Sequence, residues 1–60
     1  MKTYEVTVEK LMYGGDRVYC EEVYPIMART PEDAWAIVNN KLVMSHEPNF
    51  RISSVREVEK

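Results

Sequence analysis

Two common supports of a very small domain are missing from this 60-residue chain, which has one cysteine, Cys20, and one histidine, His46. A single thiol excludes an intrachain disulfide, and with one histidine no ordinary zinc set can be assembled from one copy. Glycine is confined to Gly14 and Gly15, and no apolar run approaches the roughly eighteen residues that a membrane-spanning helix needs. No charge sign dominates either. Ten acidic against eight basic residues leave a net of -2, too balanced for a disordered or acidic tail.

What is present suits one folded unit over residues 1–60, with 45% hydrophobic content. A domain of this length buries only about 60% of the surface its unfolded chain exposes. A single core at this length rarely supplies more than roughly 3 to 5 kcal/mol, and with no bridge and no metal, self-association is the remaining support. A homodimer is therefore expected. The unbridged thiol and the opening Met1-Lys2-Thr3-Tyr4-Glu5, which has no apolar stretch for a secretory signal, predict a cytoplasmic setting.

Periodicity organises the chain into four elements. Tyr4, Val6, Val8 and Met12 alternate with Glu5, Thr7 and Glu9, which predicts a half-buried strand over Lys2 to Met12, with a twist or bulge near Lys10 and Leu11. Tyr13-Gly14-Gly15-Asp16 reads as a hairpin turn. A second strand over Arg17 to Ala28 follows, with Val18 and Cys20 inward; Pro25 cannot donate to a ladder and assigns it to an edge. Thr30-Pro31-Glu32-Asp33 is a helix start: a capping hydroxyl, a proline at the first helical position and two acids against the positive helix end. Ala34, Trp35, Ile37, Val38 and Leu42 continue at helical spacing to about Ser45, with Trp35 expected as a core anchor on Val6, Val8 and Phe50. His46-Glu47-Pro48-Asn49 reads as the exit, and Phe50 to Val58 as the last strand. The resulting ββαβ order predicts an α+β fold, a three-stranded antiparallel sheet in the order 2-1-3 with the helix on one face. The other face is expected to be open and to carry Glu5, Thr7, Glu9, Tyr19, Glu21, Val23, Ser53, Val55 and Glu57.

No residue pattern amounts to a catalytic or cofactor signature. His46-Glu47 resembles the start of a zinc-protease helix, but Pro48 follows and no second histidine lies four residues on. His46 fits a helix-terminal role against the negative dipole end. Cys20 reads as a small hydrophobe, with the lone histidine placed at the far end of the helix. The pairs Glu21-Glu22 and Glu32-Asp33 are solvated charge in a chain too short for a sizeable pocket, and Gly14-Gly15 has no following lysine to make a phosphate cradle. No metal, no cofactor and no enzymatic activity are expected.

Tyr4-Glu5-Val6, then Ala28-Arg29-Thr30-Pro31-Glu32-Asp33-Ala34, then Ile52-Ser53-Ser54-Val55-Arg56-Glu57-Val58 resembles the ββαβ module of the archaeal ribosomal protein LX family over most of the chain. The resemblance implies topology. Those proteins are basic RNA binders, whereas this chain is net acidic. In size, in lack of chemistry and in layout the chain is also similar to small phage-encoded proteins that inhibit or redirect a host enzyme.

The expected function is that of a small non-enzymatic regulatory protein, of the virus-encoded type, that binds another protein. Its candidate surface is Glu5, Glu9, Tyr13, Tyr19, Glu21, Val23, Val55 and Glu57. Tyr19, Val23 and Val55, or the free edge of the second strand, would serve self-contact, and Glu5, Glu9, Glu21 and Glu57 would face a basic partner. One alternative is a nucleic-acid-binding module using Tyr13, Tyr19, Arg17, Arg29, Arg51 and Arg56. Another is a small enzyme whose site forms across a dimer interface around Cys20 or His46.

Overall fold

Alternation in the first strand decides the architecture, because a strand with apolar residues on one side only must be covered on that side. A computed structural model, which describes residues 1–12, 17–47 and 49–58, contains β1 (Lys2–Leu11), β2 (Val18–Ala28), α1 (Pro31–Met44) and β3 (Phe50–Val58). The sheet is antiparallel throughout, in the order β2-β1-β3, with α1 on one face. This is the α+β arrangement that the sequence predicts. The expected hairpin turn from Tyr13 to Asp16, and Pro48, lie outside the described residues.

Among the described residues seven side chains form the buried core: Tyr4, Val6 and Val8 from β1, Ala28, and Ala34, Val38 and Leu42 from α1. The helical three are spaced by four, so they form one narrow stripe that lies on the sheet. Trp35 is one position off that stripe, rotated by about 100°, and is 44% exposed. The expectation that it anchors the core is therefore corrected. Ile37, Met12 and Val18 are likewise exposed rather than inward, while Tyr24, Ile26, Phe50, Ile52 and Val55 pack around the core margin.

Register accounts for the faces. Pairing of β1 with β2 runs unbroken from Lys2 opposite Ala28 to Lys10 opposite Cys20, then shifts so that Leu11 faces Val18. Pairing with β3 shifts between Thr7, opposite Ser54, and Val8, opposite Ile52. Ser53 is thus an extra residue on the β3 side, its hydroxyl donating to the Thr7 carbonyl oxygen at 3.3 Å. One inserted residue exchanges inside for outside in everything beyond it. Val55 consequently lies opposite Val6, and Glu57 opposite Tyr4, on the helix side. They do not belong to the open face, where the sequence places them.

Both helix ends are satisfied locally. Thr30 is extended, at φ -137° and ψ 160°, and its Oγ1 accepts from the Asp33 amide at 3.1 Å. At the other end the Glu47 amide donates to the Leu42 carbonyl and the His46 amide to that of Val43, both at 3.1 Å. This is a Schellman closure with His46, at φ 60°, in the left-handed position usually held by glycine.

Candidate interaction surface

The open face divides into two halves of different character. Over β1 and β3 it is polar and neutralised across strands: Arg51 donates through Nε at 2.9 Å, and approaches through Nη2 at 2.7 Å, to Glu9 Oε1, and Arg56 is bonded to Glu5. Each arginine sits directly opposite its glutamate in the β1–β3 register. On the helix side of the sheet Lys2 lies 3.5 Å from Glu57. The expected acidic surface towards a basic partner is thereby corrected, since Glu5, Glu9 and Glu57 each have a cationic neighbour. Glu21 is exposed opposite Glu9.

Over β2 the open face is largely apolar, with Glu21 the one charged residue in the strip. Tyr19 and Met27 are each 63% exposed and Val23 is 52% exposed, with exposed Pro25 between the last two. Odd-numbered residues of β2 share this face because Thr7 pairs with Val23 and Thr3 with Met27. Of the predicted surface, then, Glu5, Glu9, Tyr19, Glu21 and Val23 are together, Val55 and Glu57 are on the opposite side, and Tyr13 lies outside the described residues.

The two sheet edges are not equivalent. Pro25 stays in register opposite Glu5 with no shift on either side. A proline tolerated inside a continuous ladder has its missing N–H on the outer side, so the β2 edge has an interrupted donor row. Among the described residues β3 has no proline, and it pairs with β1 alone.

On the helix side the end of the sheet holds a polar cluster that periodicity does not announce. Lys10 Nζ lies 2.7 Å from Glu22 Oε1 and 3.1 Å from Glu47 Oε1, its side chain only 17% exposed, and the Tyr24 hydroxyl donates to Glu22 Oε2 at 3.0 Å. Lys41 caps the Tyr24 ring with its ammonium 5.7 Å from the centroid. Hydrogen bonds to Glu22 and then Glu47 push Lys10 above the ordinary lysine range. The bonds from Lys10 and Tyr24 hold Glu22 below the usual carboxylate range, and burial, followed by the bond to Glu22, pushes Tyr24 up. The cluster ties the helix exit, through Glu47, to β1 and β2. It is a clamp, with every charge answered.

The same clamp brings His46 to the end of the sheet that holds Cys20, since Cys20 pairs with Lys10 and Lys10 bonds Glu47. The far end of the helix is therefore the near end for Cys20, contrary to expectation. No hydrogen bond joins the two among the described residues, and there no three His, Cys, Asp or Glu side chains are grouped to hold a metal ion.

A shallow groove of about 290 Å³ opens between the start of α1 and β3, lined by Pro31, Glu32, Trp35 and Val55. The signal for it was available only in part. Trp35 stands out by type, but the bulge that turns Val55 towards it does not. No helix in the described residues is long and apolar enough to cross a membrane. No protein-family model, curated protein or solved structure matches the chain.

Proposed function

We propose that this chain is a small, non-enzymatic, cytoplasmic regulatory protein that works by binding another protein and is itself a homodimer. One observation carries the reading. Among the described residues, ten large hydrophobic side chains are exposed, against seven hydrophobic residues buried. A core so small is marginal for a chain without a disulfide, and uncovered apolar side chains at this density mark contact surfaces.

The self-contact is the β2 half of the open face. Tyr19, Val23 and Met27 form a strip that packs on its own copy about a two-fold axis, with the Glu5–Arg56 and Glu9–Arg51 pairs as a polar margin. Three strands about 4.8 Å apart and roughly 33 Å long present about 450 Å² of projected face per copy. That places the dimer at the small end of specific interfaces. Nucleic-acid binding is disfavoured because Arg51 and Arg56 are already bonded to carboxylates.

Sedimentation velocity at micromolar concentration tests the assembly. The wild-type chain is expected to sediment as a dimer and Val23→Glu as a folded monomer, since Val23 is outside the core. A wild-type monomer across the micromolar range would remove the self-contact.

A further inference from the structure

The groove at Trp35 and the outer edge of β3 are neighbours. Val55 lines the groove and belongs to β3, whose stretch beyond the Ser53 bulge, Ser54 to Val58, stays in regular register with β1 and carries no proline, unlike the β2 edge with its Pro25. A strand added there would direct every second side chain to the helix side, over Val55, Pro31 and the exposed indole. The groove volume of about 290 Å³ admits one large aliphatic side chain.

Charge selects what stands beside it. Glu32 forms one wall, and Glu57 lies two residues along β3 from Val55 on the same face. Glu57 is shared with Lys2 at 3.5 Å, so Glu32, in the groove wall, is the carboxylate that selects a cation beside the apolar spot. On the opposite side of β3, Arg51 and Arg56 are already engaged with Glu9 and Glu5, which suits neutral polar neighbours.

We propose that the edge of β3 beyond Ser53 and the Trp35 groove form one site for a short extended peptide segment of a partner protein, a segment carrying an aliphatic residue with a lysine or arginine beside it on the same face. The assignment rests on the protein-binding reading above and names the partner chemistry. Main-chain bonds to β3 give affinity, and the groove with Glu32 in its wall gives selectivity.

The probe is a labelled Thr-Lys-Thr-Leu-Thr-Lys-Thr peptide, followed by fluorescence anisotropy and by the emission of Trp35, the only tryptophan. Saturable binding with a blue shift is expected. Methylating one alternate set of peptide amides should weaken binding about tenfold or more, whereas methylating the other set should not, because only one set faces β3. Glu32→Lys should weaken the peptide about fivefold and admit its glutamate counterpart. Trp35→Ala should lose binding while remaining folded by circular dichroism.

Absence of binding, equal loss with both methylated peptides, or loss with Val23→Glu but not Trp35→Ala would overturn the site. A dimer that Val23→Glu dissociates, in a chain that ignores the peptide, would overturn this site and leave the protein-binding reading standing.

Discussion

His46 offers the sharpest test of the local physics, because it occupies a glycine position and its side chain is exposed. At φ 60° a Cβ crowds the following carbonyl oxygen, a strain of about 1–2 kcal/mol in an L-residue. Glycine removes it but brings extra freedom to the unfolded chain, worth about 0.5–1 kcal/mol in the other direction. His46→Gly should therefore stabilise by about 0.5–1 kcal/mol, with the amide bonds of His46 and Glu47 to Val43 and Leu42 retained. In a domain of this length that raises Tm by about 3–6 °C, or moves the urea midpoint up by roughly half a molar unit at unchanged slope. His46→Val should move both the other way, since a branched Cβ tolerates this region least. Measurements belong at one protein concentration, so that mass action on a dimer is held constant. An unchanged or lowered midpoint for His46→Gly would refute the assignment of strain to this residue.

Three further outcomes follow from the same structure. Leu42→Ala, which empties the last core position of the helix, should cost about 3 kcal/mol and leave the chain largely unfolded by circular dichroism. Trp35→Ala should cost only about 1 kcal/mol, because its side chain is nearly half in solvent, whereas a core tryptophan would cost about 3–5 kcal/mol; a urea titration separates the two. Stability should also depend on pH through the Lys10 clamp. Glu22 is held below its ordinary value, so its contribution is present above about pH 4–5 and is lost as pH falls through the lowered value. Lys10 and Tyr24 are both pushed up, so theirs is present below about pH 10 and is lost as pH rises through the raised values. Lys10→Gln should flatten both limbs of the midpoint-against-pH curve relative to wild type.

Much of the fold is legible in the residues because its signals are local. Thr30 and Pro31 mark the helix start by the chemistry of orphan amides, Tyr4, Val6 and Val8 state the period of a strand, and Pro25 restricts its strand to an edge. The surface is less legible, for reasons that are also specific. The bulge at Ser53 is set by pairing with Thr7 and Val8, more than forty residues away, and it alone decides which side Val55 and Glu57 occupy. Trp35 stands out by its area, but its angle on α1 keeps it off the buried stripe set by Ala34, Val38 and Leu42. Lys10 breaks an apolar period and looks like a defect until Glu22 and Glu47 arrive from two other elements to meet it. The cross-strand arginines follow the same logic, since no spacing in sequence reveals that Glu9 meets Arg51.

Pro25 has one more consequence. A sheet whose two rims are both receptive can recruit copy after copy into a filament, each newcomer offering the next a fresh template. Here one rim is gapped where the pyrrolidine ring replaces a donor, and the other is broken by the bulge at Ser53. Both rims are thus interrupted, which counts against growth copy by copy and leaves on β3 only a short stretch for a guest strand.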